Sequence, residues 1–270
     1  MIPKDQPNIL DVPLTERYFA EPVRALGMFL ADTERVLALS TFAISQLQGF
    51  GQLAEAMKTA RAALKEKDPD DVEQHIALAK GAEKLAIDEV RDGFPLLISH
   101  SVVAIWSALE AMIPKFVVQY LLLKPGILQS EPFDRIKLPV STYESLDREG
   151  LMSELVQEIM QTTQSALKPG IGRFESLLEK VSLGGSVPEN MRRDLFELSQ
   201  VRNLIVHQFG HVDALFTAAC PWLQVVSGSR LKLTNKDFDR YRDAIRGYVR
   251  IIIELVRATA GSRAEGPPAG

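Results

Sequence analysis

Hydrophobic positions along most of the chain recur at three- and four-residue intervals, the period of helices buried on one face. Glu21-Pro22 opens the first such segment, with proline suited to an early helical position. Val23, Leu26, Leu30, Val36, Leu37, Phe42, Ile44 and Leu47 carry it to a break at Gly49-Phe50-Gly51. A second helix, rich in Ala and Lys, is expected to about Lys67. Asp68-Pro69 then caps a third that runs to about Arg91. Asp92-Gly93 leads into a long apolar helix from Pro95 to Leu123. Lys124 to Val140, with Pro125, Gly126, Pro132 and Pro139, reads as a surface loop.

Helical periodicity resumes over Tyr143–Leu167 and Gly172–Val181 and breaks at Gly184-Gly185. It starts again at Pro188 and stops at Phe209-Gly210, where glycine suits a helix end. Trp222 to Leu233 alternates loosely about Ser227-Gly228-Ser229, a pattern that predicts one short β-hairpin. Thr234 or Asn235 caps a last amphipathic helix to about Ala260. Gly261 to Gly270 reads as a disordered tail. The expected fold is all-α: an N-terminal helical arm over residues 1–92, used for packing or partner binding, then a helical domain over 93–260.

The only membrane candidate is Phe94 to Leu123. His100, Glu110 and Lys115 interrupt it, and each charge near a bilayer centre costs about 2.5–3.5 kcal/mol. A buried core helix is the better reading, with no membrane association expected. Met1 to Pro13 lacks a basic segment followed by an apolar one, so no export signal is expected and the location reads as cytoplasmic. The net charge of −4 and pI near 5.7 argue against non-specific coating of nucleic acid. Such acidity leaves room for an enzyme that grips a few phosphates in one cleft. Cys220 is the only cysteine, which removes a disulfide framework and a thiolate metal cluster.

The candidate chemistry lies in Val201-Arg202-Asn203-Leu204-Ile205-Val206-His207. Arg202 falls on a helical line with Leu195, Leu198, Ile205 and Phe209, where a guanidinium needs an anion or a hydrogen-bonding partner. Asn203 and His207 are four apart, so the amide can orient the imidazole. Arg202 and His207 point about 140° apart on an ideal helix. They converge only through the reach of arginine or across a partner helix. Glu110 is an equally misplaced charge, inside Val102-Val103-Ala104-Ile105-Trp106-Ser107-Ala108-Leu109-Glu110-Ala111-Met112-Ile113. Pairing Glu110 with Arg202 across a helix interface resolves both burial costs, and a purely structural ion pair has the same sequence signature.

Arg-Asn, three residues and His, late on a helix of an all-helical bundle, resembles the HEPN superfamily (higher eukaryotes and prokaryotes nucleotide-binding). Glu110 in "WSALEAM" looks like the acidic residue that family often carries on an earlier helix. The ending "LTNKDFDRYRDAIRGYV" is similar to its closing helix. The resemblance covers roughly residues 93–260. It implies metal-independent cleavage of RNA by 2′-hydroxyl attack, leaving a 2′,3′-cyclic phosphate and a 5′-hydroxyl, with no cofactor. In that chemistry His207 moves a proton and Arg202 sets a bidentate positive fork on the phosphorane. Asn203 orients His207 or the phosphate, and Glu110 holds Arg202. The resemblance also implies a homodimer with facing motifs. Its biological setting would be a toxin or phage-defence system, with an antitoxin or defence-complex partner bound through the N-terminal region. Some members bind a nucleotide or scaffold a complex without cutting RNA.

Other chemistries find less support. His207 and His211 are spaced to share a metal with Asp213 nearby, but Gly210 interrupts the helix and no Glu follows His207. His75 and His100 are isolated. Arg192-Arg193 opens a helix and could touch an RNA backbone, or simply be solvated. Trp106 and Trp222 read as packing residues. Gly184-Gly185 lacks the Gly-Lys-Ser/Thr of a phosphate loop, and Cys220 has no evident base beside it.

Overall fold

The computed structural model describes residues 17–65, 71–162 and 170–261, and over these the protein is all-helical. The helices are α1 (Arg17–Gln46), α2 (Phe50–Ala63), α3 (Val72–Asp92), α4 (Pro95–Leu123), α5 (Val140–Ser145), α6 (Arg148–Thr162), α7 (Gly172–Lys180), α8 (Glu189–Gln208), α9 (Ala214–Ala219) and α10 (Asn235–Gly261). The expected Asp68-Pro69 cap, the end of the 143–167 segment, residues 1–13 and the 262–270 tail lie outside the described residues.

Most predicted boundaries reflect local chemistry. Gly49 ends a single 3₁₀ turn, Leu47–Gly49, that separates α1 from α2. Gly93 is left-handed at φ 78, and α3 closes with Gly93 N–H on the Val90 carbonyl and Phe94 N–H on that of Glu89. Only glycine takes that conformation without a Cβ penalty, so the predicted stop at Asp92-Gly93 is a glycine-terminated helix cap. At the same end, hydrogen bonds from Arg91 and then Lys232 hold the Asp92 carboxyl down to about 2.

Three expectations are corrected. α1 begins at Arg17, so Pro22 lies inside the helix and not at its opening. The 143–167 helix is two, α5 and α6, separated at Leu146, whose backbone is extended. Asp147 starts the second one by accepting the Gly150 amide on its side chain. The hairpin over 222–233 does not form. Its turn exists, with Ser229 N–H on the Val226 carbonyl and Gly228 at φ 85, but Pro221–Leu223 is a 3₁₀ turn and Gln224 is left-handed. The later arm pairs elsewhere instead, through one antiparallel bridge between His211 and Arg230.

The described residues fall into two compact units. One holds the described part of α1 up to Ala31 with Val102–Leu231 and α10 from Asp239 on; the other holds Asp32–Ser101 with Lys232–Phe238. This division differs from the boundary at 92/93 drawn from the sequence. In the first unit, α4 supplies the central buried line Val102, Ile105, Leu109, Ile113, Val117 and Leu121. Phe174 and Leu177 of α7, Leu195 and Leu198 of α8, and Tyr241, Ile245 and Ile252 of α10 complete the core. Trp106 and Phe174 meet ring to ring at 5.8 Å. α4 is long and apolar enough to cross a membrane, while much of its apolar surface is enclosed by protein.

In the second unit, α2 lies along α3. Gly51 lets the helices approach: a Cβ there would sit 3.1 Å from Lys80 Cα. Ion pairs Lys58–Glu73 and Lys80–Glu55 flank that contact.

Candidate functional site

The site is assembled from three helices of the first unit. α4 carries Glu110 one turn beyond Trp106, whose ring is fixed against Phe174 of α7. α7 carries Arg173, whose guanidinium stacks 4.8 Å over the Phe174 ring. α8 carries Arg202, Asn203 and His207. Glu110 joins the first two helices to the third: one carboxylate oxygen accepts Arg173 Nη2, and the other accepts Arg202 Nη2 at 3.4 Å. Two guanidiniums on one carboxylate leave the cluster with a net positive charge.

Arg202 is 25% exposed, which is open enough to meet a ligand and enclosed enough to be held. Its Nη1 donates to Asn203 Oδ1 at 3.1 Å. Its Nε–H is enclosed and has no partner among the described residues. A buried donor left without a partner costs roughly 1–3 kcal/mol, and more when it is charged. The Glu110–Arg202 pairing expected from the burial argument is thus present, though long, with Arg173 as a shared third member. Asn203 is turned to Arg202 and does not orient His207, contrary to one of its expected roles. His207 is exposed.

The buried line of α8 also differs from the expected one. Leu195, Leu198, Val201 and Leu204 face the core, so Arg202 sits at the edge of the apolar stripe. Phe209 is 80% exposed in a left-handed conformation at φ 54, just after the helix ends at Gln208. Its amide and that of Gly210 both turn back to the Leu204 carbonyl. His211 therefore leaves the helical register. Asp213 spends its carboxylate capping α9 through the Phe216 amide at 2.7 Å. Among the described residues no group of three or more His, Cys, Asp and Glu side chains is placed to hold a metal ion.

Two residues escaped the sequence reading. Arg173 looks like an ordinary polar residue at a helix start. The available signal was its sign, because a cation in the first turn opposes the helix dipole and needs an anion nearby. Glu197 is 1% exposed, within the core. It accepts from the Tyr241 hydroxyl at 2.6 Å, from Arg240 and from the Trp222 indole. Asp194 takes the other arm of Arg240 at 2.6 Å. Burial would lower the Arg240 pKa, but these hydrogen bonds outweigh it and raise it above its ordinary value. The network ties α8 to α10 and thereby fixes the helix that carries Arg202.

Other candidates have structural partners. Arg192 makes a two-pronged bond to Glu175 at 2.5 and 2.7 Å, and Arg193 lies 5.6 Å over the Trp222 ring. His75 pairs with Asp71 at 3.4 Å, and His100 is exposed. Burial, then the charge of Glu197, pushes the Cys220 thiol up to about 12. Native protein should therefore resist alkylation by iodoacetamide at pH 8 and react once unfolded in urea; equal rates in both states would contradict this burial. A cavity of about 800 Å³ is lined by residues of α1, α4 and α6, among them Pro22, Val118, Val156 and Met160, and none of the motif residues line it.

No protein-family model, curated protein or solved structure matches this chain. The chemistry of the site therefore rests on its own residues.

Proposed function

We propose that the chain is a metal-independent endoribonuclease of HEPN type. The observation that carries this reading is Arg202: a half-enclosed guanidinium, held by Glu110 and Asn203, with one N–H unsatisfied, on the same helix as an exposed histidine. That is the equipment needed to grip a phosphodiester and move a proton beside it. The net positive charge of Arg173 and Arg202 on Glu110 would give an acidic protein a local contact for phosphate.

In the proposed reaction the ribose 2′-oxygen attacks the adjacent phosphorus and the bond to the 5′-oxygen breaks. The proton of the 2′-hydroxyl passes to a base, and the departing 5′-oxygen takes up a proton. His207 supplies one or both transfers, because imidazole exchanges protons near neutral pH. Arg202 places two N–H donors on the non-bridging oxygens as their charge builds, a planar match that lysine lacks. Glu110 and Arg173 position Arg202. With Arg202 and His207 about 140° apart on α8, the two groups act together when two copies of the chain present their motifs to one shared cleft. A homodimer acting in the cytoplasm, as a toxin or phage-defence effector, fits this chemistry.

The test is incubation of labelled transfer and messenger RNA with the purified chain in EDTA. Wild type is expected to cut, and His207→Ala to leave the RNA intact while remaining folded. Intact RNA with folded wild type at high enzyme concentration would instead favour a module that binds a nucleotide or scaffolds a complex. Cutting abolished by EDTA would point to metal chemistry.

A further inference from the structure

The cavity of about 800 Å³ lies wholly within the first unit, and its walls come from α1, α4 and α6. On α4, Pro114 and Val118 fall within about 40° of each other around the helix, at about 100° per residue. Lys115 and Gln119 form a polar line beside them. On α6, Glu149, Val156 and Met160 share an arc of about 40°. Val118 and Val156 are buried, at 5% and 1% exposed, so the cavity reaches into the packed side of both helices. α1 supplies the third wall with Glu21, Pro22 and Ala25. Small-molecule sites occupy about 300–1,000 Å³ and combine apolar walls with a few polar groups, as this cavity does.

We propose that this cavity binds a small apolar organic cation, of the amine or amidine class, through Glu149 and Glu21. The lining carries two carboxylates, Glu21 and Glu149, against one ammonium, Lys115, a formal charge of −1. Gln119 donates its amide to one oxygen of Glu149 at 3.1 Å and so ties α4 to α6. That bond orients the carboxylate without neutralising it, and an ionised carboxylate accepts further donors on both oxygens. An anion would meet net repulsion here. A neutral apolar molecule would cover the carboxylates without pairing them, at a desolvation cost. A cation with an apolar body answers both parts of the lining: the body covers Val118, Val156 and Met160, and its N–H groups pair with the carboxylates. Among the described lining residues there is no aromatic ring. The cavity thus lacks the cage that recognises quaternary ammonium groups and favours cations that carry N–H donors. Ser153 and Gln157 add hydrogen-bonding groups of either sense. Glu110, Arg173 and the α8 motif do not line this cavity, so the inference stands apart from the nuclease reading.

The test is titration of the full chain, freed of nucleic acid, with the apolar bis-amidine dye diamidinophenylindole, followed by fluorescence and calorimetry. The dye should bind saturably, one per chain. Ala25→Trp, which fills the cavity from the exposed side of α1, should abolish binding with unchanged helicity by circular dichroism. Glu149→Gln and Glu21→Gln should each weaken binding about 10-fold or more, the loss of one charge-assisted hydrogen bond. The anionic dye anilinonaphthalene sulfonate should bind wild type more weakly than the amidine does, and should gain on Glu149→Gln. Absence of saturable amidine binding to the folded chain would overturn the proposal. Binding that survives Ala25→Trp, or that ignores both glutamine variants, would overturn it too. Tighter binding of the anionic dye would also overturn it, and would assign the cavity to an anion.

Discussion

Glu197→Ala is expected to lower folding stability by about 3–5 kcal/mol, the cost of removing one member of a buried, hydrogen-bonded charge cluster. Its carboxylate is 1% exposed and accepts from Tyr241, Arg240 and Trp222. Alanine would remove the acceptor that three donors share, while Arg240, which is one-third exposed, keeps its bond to Asp194. Glu197→Gln keeps the volume and one acceptor oxygen, so it should lose less than alanine while still weakening the bond to Arg240. Urea unfolding followed by circular dichroism reads this directly: the midpoint should fall with an unchanged slope. A loss below about 1 kcal/mol, the size of an exposed pair, would show that the cluster does not anchor α8 to α10.

The second large effect concerns activity. His207→Ala should reduce RNA cleavage by about 10²–10⁴-fold, the ordinary contribution of a positioned acid or base. Its exposure means that folding stability should hardly change. Arg202→Lys should lose about 10²–10³-fold, because the positive charge stays but the forked donor geometry is gone. The Arg202 variant should also lose stability, since Glu110 would keep only Arg173. If Arg202→Lys cuts RNA as wild type does, the guanidinium is structural and the proposed phosphate contact is wrong.

The sequence was most readable where one residue controls a backbone decision. Gly93 ends α3, Gly49 separates α1 from α2, and the three-four periodicity of α4 runs unbroken to the buried Leu121. The Glu110–Arg202 contact was also legible, because each charge interrupts an apolar run and the two could relieve each other. What escaped depends on tertiary partners. Arg173 becomes part of the site only because α7 is pinned by Phe174 against Trp106. Glu197 sits at the edge of the α8 stripe, where a helix pattern cannot tell a solvated glutamate from one met by another helix. Periodicity alone places Phe209 on the buried line because it ignores where the helix ends. Once α8 stops at Gln208, the next residue turns outward. The 222–233 alternation misled for a related reason: the turn formed, but its second arm found Gly210 to Val212 as a better-placed partner.

The central claim is that Arg202 and His207 drive attack by the RNA's own 2′-oxygen. It is tested most directly with a labelled RNA whose cleavage site has been mapped, compared with the same RNA carrying a single 2′-deoxy nucleotide 5′ to the scissile phosphate. The reaction is run in EDTA, and the product ends are identified by mass spectrometry. The account predicts that the unmodified RNA yields a 2′,3′-cyclic phosphate and a 5′-hydroxyl, and that the deoxy substrate resists cutting at that bond. Cleavage of the deoxy substrate at the same bond, or products bearing 5′-phosphates, would contradict it.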